Sequence, residues 1–271
     1  MPELPEVETT RRGIEPALVG SRVIDLIVRD RRLRWPIAAN LEAAVRGRRV
    51  RAVDRRAKYL IIQLDTGSLI VHLGMSGSLR LIGGKTPPKP HEHWDLVLDS
   101  GQVLRFHDPR RFGSLLWTQD DPQQHALLKK LAPEPLSAAF DGAYLFRVTR
   151  KRAVAIKQLI MNSQLVVGVG NIYASEALFR ARISPRRAAR RLTQAEALKL
   201  SGTIKAVLKA AIKIGGTTLR DYVNADGVPG YFRQKLFVYE RAGERCRVCK
   251  SSIKQFTQGQ RSTYWCATCQ R

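Results

Sequence analysis

The first 245 residues of this 271-residue chain contain no cysteine, and acidic residues are scarce throughout. Without cysteine, the body of the chain cannot be held together by a disulfide framework. Only 23 Asp and Glu residues stand against 47 Lys and Arg residues, which gives a net charge of +24. Such an excess of one sign repels itself and predicts a polyanionic partner, with nucleic acid as the first candidate and an anionic membrane surface as the second.

Long apolar runs are also missing. No stretch of 18 apolar residues occurs, so we expect no transmembrane helix. The N-terminal segment lacks a basic and then apolar signal pattern, which favours a cytoplasmic protein. Internal repeats and low-complexity tracts are absent too. The length suits two domains or one large domain, and the 44% hydrophobic content supports real cores.

The apolar periodicity changes once along the chain. Residues 4–19 predict a helix that Gly20 ends, with residues 40–46 and 122–131 as shorter ones. Short strand-like runs with turn signals then argue for a β-sandwich or barrel, and 65–67 and 99–101 are the predicted hairpin turns. These runs are 49–54, 58–64, 68–73, 77–82, 94–99, 102–107 and 112–117. Later residues predict helices at 144–150, 152–162, 171–181 and 193–212. The Pro- and Ala-containing segment 133–143 is the predicted linker.

All four cysteines lie in the last 26 residues, in a C-x2-C-x16-C-x2-C pattern. Two such pairs can present four thiolates to one tetrahedral ion, which predicts one structural Zn²⁺ held by Cys246, Cys249, Cys266 and Cys269. A disulfide pair is the alternative, and a cytoplasmic location disfavours it.

The opening residues are a candidate reaction centre. If Met1 is removed, Pro2 carries the free α-amine, whose pKa of about 7.7–8.0 leaves part of it unprotonated and nucleophilic at neutral pH. Glu3 and Glu6 add carboxylates that can give or take a proton. The alternative is a well-formed helix start, because Pro5 followed by acidic residues suits the helix dipole.

Two glycine-flanked turns place apolar side chains where they can be exposed. Met75 lies in one and Phe112 in the other, beside Arg110. Core packing is the commoner fate of such residues, and the alternative is an apolar wedge that enters a base stack. Lys58 is a candidate phosphate clamp. Asn171 follows a Gly-x-Gly turn and would cap a helix or donate its amide to a phosphate.

Seven segments, taken in order, carry a resemblance to a known family. They are PELPEVET, RRAKYL, HLGMSGSL, DPRRFG, VGVGNIYASE, GGTTLRDY and the paired CxxC motifs. Together they resemble the bacterial formamidopyrimidine-DNA glycosylases over essentially the whole chain. The related endonuclease VIII-like enzymes tend to open with PEGPE and lack this DPRRFG pattern.

The resemblance implies an α+β multidomain fold: an N-terminal β-sandwich, then a helical domain with a helix–two-turn–helix motif and a zinc-finger β-hairpin. The implied domains are 1–132 for the N-terminal helix and β-sandwich, 133–143 for the linker, 144–232 for the helical domain with a lesion-capping loop at 217–232, and 233–271 for the zinc finger.

The resemblance also implies roles for individual residues. The implied catalytic set is Pro2 as nucleophile, Glu3 as neighbouring acid, Glu6, Lys58 and Arg261. The implied DNA-binding set is His72, Met75, His91, Arg110, Arg111, Phe112, Lys157, Asn171 and Tyr239. The implied lesion-loop residues are Thr217, Thr218 and Tyr222.

The implied activity is that of a bifunctional DNA glycosylase and DNA-(apurinic or apyrimidinic site) lyase. Such an enzyme removes 8-oxoguanine and formamidopyrimidines through a proline Schiff base and nicks the strand by β,δ-elimination. An enzyme for oxidised pyrimidines and a non-catalytic zinc-containing nucleic-acid-binding protein are the alternatives. The expected partner is damaged double-stranded DNA, for a monomer in the bacterial cytoplasm, associated with the nucleoid and not with a membrane.

Overall fold

The computed structural model describes residues 2–215 and 236–271. The described residues up to Lys129 form one compact unit, and residues 130–213 with 236–271 form a second. None of the described helices is long and apolar enough to cross a membrane.

The first unit opens with a helix and continues as two antiparallel sheets. Its helices are α1 (Leu4–Leu18) and α2 (Leu41–Val45). Its strands are β1 (Val23–Val28), β2 (Val50–Arg56), β3 (Tyr59–Leu64), β4 (Ser68–His72), β5 (Ser78–Gly83), β6 (Glu92–Leu98), β7 (Gln102–His107) and β8 (Ser114–Thr118). One sheet has the order β1-β6-β7-β5 and the other β2-β3-β4-β8. Only three residues of the helix predicted at 122–131, Pro122–Gln124, are helical, as a 3-10 turn.

One apolar core joins the two sheets and α1. It contains Leu96 and Leu104 from one sheet, Leu60 and Val71 from the other, and Ile14 from the helix. Strands β3, β4, β6 and β7 are buried over runs of three to five consecutive residues, so both faces of these strands are covered. The predicted β-sandwich is therefore confirmed.

The sandwich hairpins turn where the sequence predicts them. The β3–β4 turn contains Gly67, whose φ of 77° is a left-handed conformation that suits glycine. A Cβ there would approach the Trp117 ring to 2.4 Å. The β6–β7 turn uses Gly101 in the same way, with φ 80°. These tight turns fix the pairing register of the strands.

The second unit is helical and ends in a β-hairpin. Its helices are α3 (Gly142–Thr149), α4 (Ile156–Ile160), α5 (Asn171–Ala181) and α6 (Gln194–Lys213), with a 3-10 turn at Ala189–Arg191. The hairpin strands are β9 (Lys254–Gln258) and β10 (Arg261–Trp265). Helix α4 is shorter than the predicted 152–162, because Ala155 forms a β-bridge with Ala188 that holds the preceding residues extended.

The segment predicted as a linker, 133–143, belongs to this second unit. Phe140 is completely buried, and the Ser137 carbonyl accepts a hydrogen bond from Lys205 on α6 at 2.8 Å. Asp141 caps α3 by accepting from Tyr144 N at 2.7 Å. The buried aromatic ring and the cap attach this segment to the helices.

Candidate active site and nucleic-acid interface

The N-terminal segment is buried and held by its own helix start. Pro2, Glu3 and Glu6 all lie in the interior of the first unit. Glu3 is the N-cap of α1, and its backbone N–H donates to Glu6 Oε2 at 2.8 Å. This is one half of a capping box, which fixes the direction in which the chain enters the helix. Pro2 is therefore held immediately before a buried carboxylate.

Helix α1 is tied to the turn that carries Lys58. Glu8 accepts from Arg55 Nε at 3.1 Å, and Arg55 in turn donates to the Ala57 carbonyl at 2.9 Å. Burial alone would raise the pKa of Glu8, but the hydrogen bonds from Arg11 and the charge of Arg55 outweigh it and hold the pKa below its usual value. A charged Glu8 thus connects the helix with the β2–β3 turn.

His72 ends β4 and shapes the turn that follows. Its Nδ1 accepts from Gly74 N at 2.9 Å, and its ring lies 4.7 Å from that of Tyr59. Burial, together with the charges of Lys58 and Arg34, lowers the pKa of His72 to about 4. The imidazole is therefore neutral at physiological pH. Because Nδ1 is the acceptor, the proton lies on Nε2, which can donate to a phosphate.

This lowered pKa predicts an acid-sensitive fold. Above about pH 6.5, His72 is neutral in both the folded and the unfolded chain, so its titration does not lower the free energy of unfolding. As the pH falls from 6.5 towards 4, the unfolded chain binds a proton that the folded chain does not, so stability declines by up to about 3 kcal/mol. His72→Asn offers Oδ1 in place of Nδ1. Urea unfolding should show the wild-type advantage over this variant shrinking between pH 7.5 and pH 4.5. A constant difference would contradict the shift.

Met75 and Phe112 are exposed, as the wedge interpretation requires. Their exposed fractions are 36% and 43%, in contrast to the core residues around them. The guanidinium of Arg110 lies 4.8 Å from the centre of the Phe112 ring. A Cβ on Gly74 would come within 2.5 Å of the Phe112 carbonyl carbon, so the two turns touch. The structure therefore brings this predicted trio together on one surface.

Arg111 and His91 also lie on the surface of the first unit. Arg111 has a left-handed φ of 54° and pairs with Asp30 at 3.4 Å. His91 has a φ of 69°, and its ring is 6.2 Å from that of His107. Both side chains are exposed, which is compatible with DNA contact.

Lys157 does not lie on the surface, which corrects its predicted role as a direct DNA contact. It is 1% exposed, and its ammonium donates to Asn171 Oδ1 at 2.6 Å, Thr263 Oγ1 at 2.7 Å and the Ser262 carbonyl at 3.2 Å. An ammonium has three hydrogens, so these bonds use them all. Lys157 therefore positions other residues, because its partners come from the start of α5 and from the hairpin.

We expect Lys157→Met to weaken DNA binding about 10- to 100-fold, because it leaves buried polar groups of Asn171 and Thr263 without their donor. Asn171 carries no charge, so the affinity should fall by a similar factor at low and at high salt. Fluorescence anisotropy over a salt series measures this. A salt slope smaller by about 0.9 would instead mean that Lys157 itself neutralises a phosphate.

Asn171 is the first residue of α5, and Gly170 is the N-cap. The prediction that Asn171 caps this helix is therefore wrong, because its side chain turns to the hairpin. Its Nδ2 donates to the Ser262 carbonyl at 2.9 Å, which uses one of the two amide hydrogens. Arg261, the neighbour of Ser262, is exposed at the start of β10. The network thus fixes Asn171 relative to Arg261.

Sequence reasoning missed Glu176. Its carboxylate is completely buried and accepts from the backbone N–H groups of Phe237, Val238 and Tyr239 at 2.9–3.0 Å. Burial raises its pKa, although these hydrogen bonds oppose the rise. Tyr239, a predicted DNA contact, is only partly exposed and packs edge-on against Tyr264 at 5.2 Å. The sequence signal was that Glu176 is the single carboxylate in α5, which is otherwise mostly apolar.

The four cysteine sulfurs converge at the end of the chain. They lie within 4.8 Å of one another, with Cys249 and Cys266 at 3.4 Å and Cys246 and Cys269 at 3.9 Å. A tetrahedral zinc with Zn–S bonds of about 2.3 Å places its sulfurs about 3.8 Å apart. None of the four forms a disulfide. The cluster therefore fits one structural Zn²⁺ and leaves no ligand position for a substrate.

The predicted lesion-loop residues Thr217, Thr218 and Tyr222 lie outside the described residues.

Three family models match the chain in order. They are the formamidopyrimidine-DNA glycosylase N-terminal domain at residues 1–115, the formamidopyrimidine-DNA glycosylase H2TH domain at residues 131–223, and the zinc finger found in FPG and IleRS at residues 243–271.

Relatives and solved structures agree with these matches. The chain is 58% identical to a formamidopyrimidine-DNA glycosylase of Stutzerimonas stutzeri and 59% identical to one of Thioalkalivibrio sulfidiphilus, over 271 residues and the full length of both chains. The crystal structure of MutM (Fpg) from Thermus thermophilus matches with a TM-score of 0.89 and 42% identity, covering 99% of this chain and 98% of that one. Lactococcus lactis Fpg in complex with DNA containing an abasic site matches with a TM-score of 0.92 and 32% identity, covering 99% of each. The chain belongs to the formamidopyrimidine-DNA glycosylase family.

Proposed function

We propose that this chain excises oxidised purines from duplex DNA and then cuts the strand, with the amine of Pro2 as the nucleophile. One observation carries the proposal: Pro2 lies buried at the start of a helix, directly before the buried carboxylate of Glu3. A catalytic amine needs a fixed position and a neighbouring acid–base group, and this arrangement supplies both.

The chemistry follows from the amine. Once Met1 is removed, the neutral amine of Pro2 attacks the sugar C1′, the bond to the damaged base breaks, and the base leaves with a proton. The bound amine then loses its proton and the sugar ring opens, because the C1′–O4′ bond breaks and O4′ takes up a proton. The iminium formed between Pro2 and C1′ makes the C2′ proton acidic, so loss of that proton expels the 3′ phosphate by β-elimination. A second elimination expels the 5′ phosphate. Glu3 gives and takes the protons, and Glu6 holds the Glu3 backbone.

Binding uses residues of both units. Lys58 and the neutral imidazole of His72 contact phosphates, as do Asn171 and Arg261 in the second unit. Extruding a base costs a few kcal/mol of stacking and pairing. Met75, Arg110 and Phe112 offset that cost by filling the space that the base leaves. The zinc holds the hairpin that carries Arg261.

The lesion class is supported by relatives. Lactococcus lactis Fpg has been solved with DNA containing N7-benzyl-Fapy-dG and also with DNA containing an oxidised pyrimidine. We place the present chain on the purine side, acting as a monomer on damaged duplex DNA in the bacterial cytoplasm, associated with the nucleoid.

The test compares excision of 8-oxoguanine opposite C with excision of thymine glycol opposite A, and traps the intermediate with borohydride. We expect faster excision of the purine and a covalent protein–DNA adduct. A clear preference for thymine glycol would indicate an endonuclease VIII-like specificity. Absence of any adduct from protein that binds the duplex would indicate a non-catalytic DNA-binding protein.

A further inference from the structure

One buried carboxylate joins the two turns that expose the wedge side chains. Asp108 is completely buried in the turn between β7 and β8. Its Oδ1 accepts from Ser76 Oγ at 2.8 Å, and Ser76 belongs to the other turn, between β4 and β5. Its Oδ2 accepts from Gly113 N at 2.8 Å, which closes its own turn. Ser76 and Asp108 thus provide a side-chain bond between the turns.

Further hydrogen bonds hold the backbone carbonyl and the carboxylate of Asp108. Its carbonyl accepts from Arg111 N at 3.2 Å and lies 2.7 Å from His93 Nε2. Arg110 N is 3.3 Å from Oδ1. Each of these donors would be left without a partner if the buried carboxylate moved, so Asp108 is held in place.

The turns are also packed without spare room. A Cβ on Gly113 would lie 2.5 Å from the Phe106 ring and 2.8 Å from the His72 carbonyl oxygen. The Gly113 carbonyl accepts from Arg34 N at 3.0 Å, which attaches a third segment. Neither turn can therefore shift without displacing the other.

We propose that Asp108 and Ser76 are positioning residues that join the Met75 turn and the Arg110–Phe112 turn into one rigid wedge, which enters the duplex as a unit. This inference rests on the proposed function, in which those side chains fill the space of the extruded base. The carboxylate touches neither substrate nor reacting atoms. It acts by keeping Met75 at a fixed separation from Phe112.

Rigidity matters because the wedge must hold apart bases that stack favourably. Partial unstacking costs a few kcal/mol per step. A side chain on an unconstrained turn can be displaced when the bases restack, and the extruded base then returns to the duplex. Two turns that share a buried hydrogen bond resist this displacement together.

Ser76→Ala tests the inference, because it removes the bond between the turns and leaves the two backbone donors to the Asp108 carboxylate, Arg110 N and Gly113 N, in place. Ser78→Ala and Ser114→Ala are matched controls: these serines are buried beside the same turns, and their hydroxyls have no hydrogen-bond partner among the described residues. We expect Ser76→Ala to lower single-turnover excision from duplex about 10-fold. Both controls should stay near wild type.

Two measurements distinguish a positioning role of Ser76 from a general loss of folding or packing. Borohydride trapping on a single-stranded oligonucleotide with a preformed abasic site needs no wedge, so Ser76→Ala should leave it unchanged. In a Met75→Ala background, Ser76→Ala should have little further effect on duplex excision, because the side chain that it positions is gone. Asp108→Asn keeps the shape but loses one acceptor oxygen, and it should fall between wild type and Ser76→Ala.

Full duplex activity in Ser76→Ala would overturn the inference, as would an additive loss in the Met75→Ala background. Equal losses in Ser76→Ala and in the two controls would also overturn it, since the loss would then reflect packing. Failure of the proposed function looks different, because wild-type protein would then form no adduct with the single-stranded abasic oligonucleotide.

Discussion

A chain with one glutamine inserted between Met1 and Pro2 should form no borohydride-trapped adduct. The large second residue prevents removal of Met1, so the Pro2 nitrogen stays in a peptide bond. Its lone pair is then delocalised into the carbonyl and cannot attack C1′. The α-amine of Met1 would lie two residues away, about 7 Å along an extended chain, and could not replace it. We expect trapping and excision to fall on the order of a thousandfold or more.

The control is the same glutamine added after Arg271, with Met1 removed as in the parent chain. Intact mass establishes the N-terminus of each protein. Zinc content and binding to undamaged duplex show that each is folded. An adduct at the parent yield from the extended chain would place the nucleophile elsewhere, and Lys58, attached to α1 through Arg55, would be the first residue to replace.

Local signals predicted most of the fold. Helix α1 was predicted at 4–19 and runs Leu4–Leu18, because apolar periodicity and a glycine stop are both encoded within the segment. The β3–β4 and β6–β7 hairpins followed from Asp and Gly at their turns in the same way. The Cys pairs predicted zinc because the chemistry requires only their spacing.

Contacts between distant residues could not be predicted. Lys157 looks like any solvated cation in the sequence, whereas its partners Ser262 and Thr263 lie more than 100 residues further along the chain. The residues before α4 are extended because Ala155 forms a β-bridge with Ala188. Asp108 is the first residue of the DPRRFG motif, but its bond to Ser76 spans 32 residues. In each case a residue distant in the sequence determines the local structure, and local propensity does not identify that residue.

Cys249→Ser should release the zinc and lower duplex affinity about 100-fold or more. A structural zinc site contributes roughly 10–16 kcal/mol of apparent binding energy, which is also the folding energy of its domain. Among the described residues, the apolar cluster around the site has five buried members, two of them cysteines: Phe179, Val238, Cys246, Ile253 and Cys266. So small a core cannot hold the hairpin once the metal has gone.

Loss of the zinc should disturb Lys157 and Asn171 as well as Arg261. The Ser262 carbonyl and Thr263 Oγ1 are acceptors for the Lys157 ammonium, and Asn171 also donates to Ser262. When β10 loses its position, the ammonium loses two of its three acceptors and Asn171 loses its orientation. The two groups that we propose as phosphate contacts in the second unit, Asn171 and Arg261, should therefore fail together. The affinity loss should exceed that of an Arg261→Ala substitution, which leaves the network intact.

Val248→Ser is the matched control, because this side chain is exposed beside Cys249 and is not a ligand. Zinc content by mass spectrometry, anisotropy with undamaged duplex, and trapping at saturating protein measure the effects. We expect Val248→Ser to behave as the parent chain. Cys249→Ser should still trap a single-stranded abasic oligonucleotide at high protein concentration, since Pro2 and Glu3 belong to the other compact unit. A variant that has lost its zinc but keeps the parent affinity would show that the hairpin is not part of the DNA site, and Arg261 would then have no role in binding.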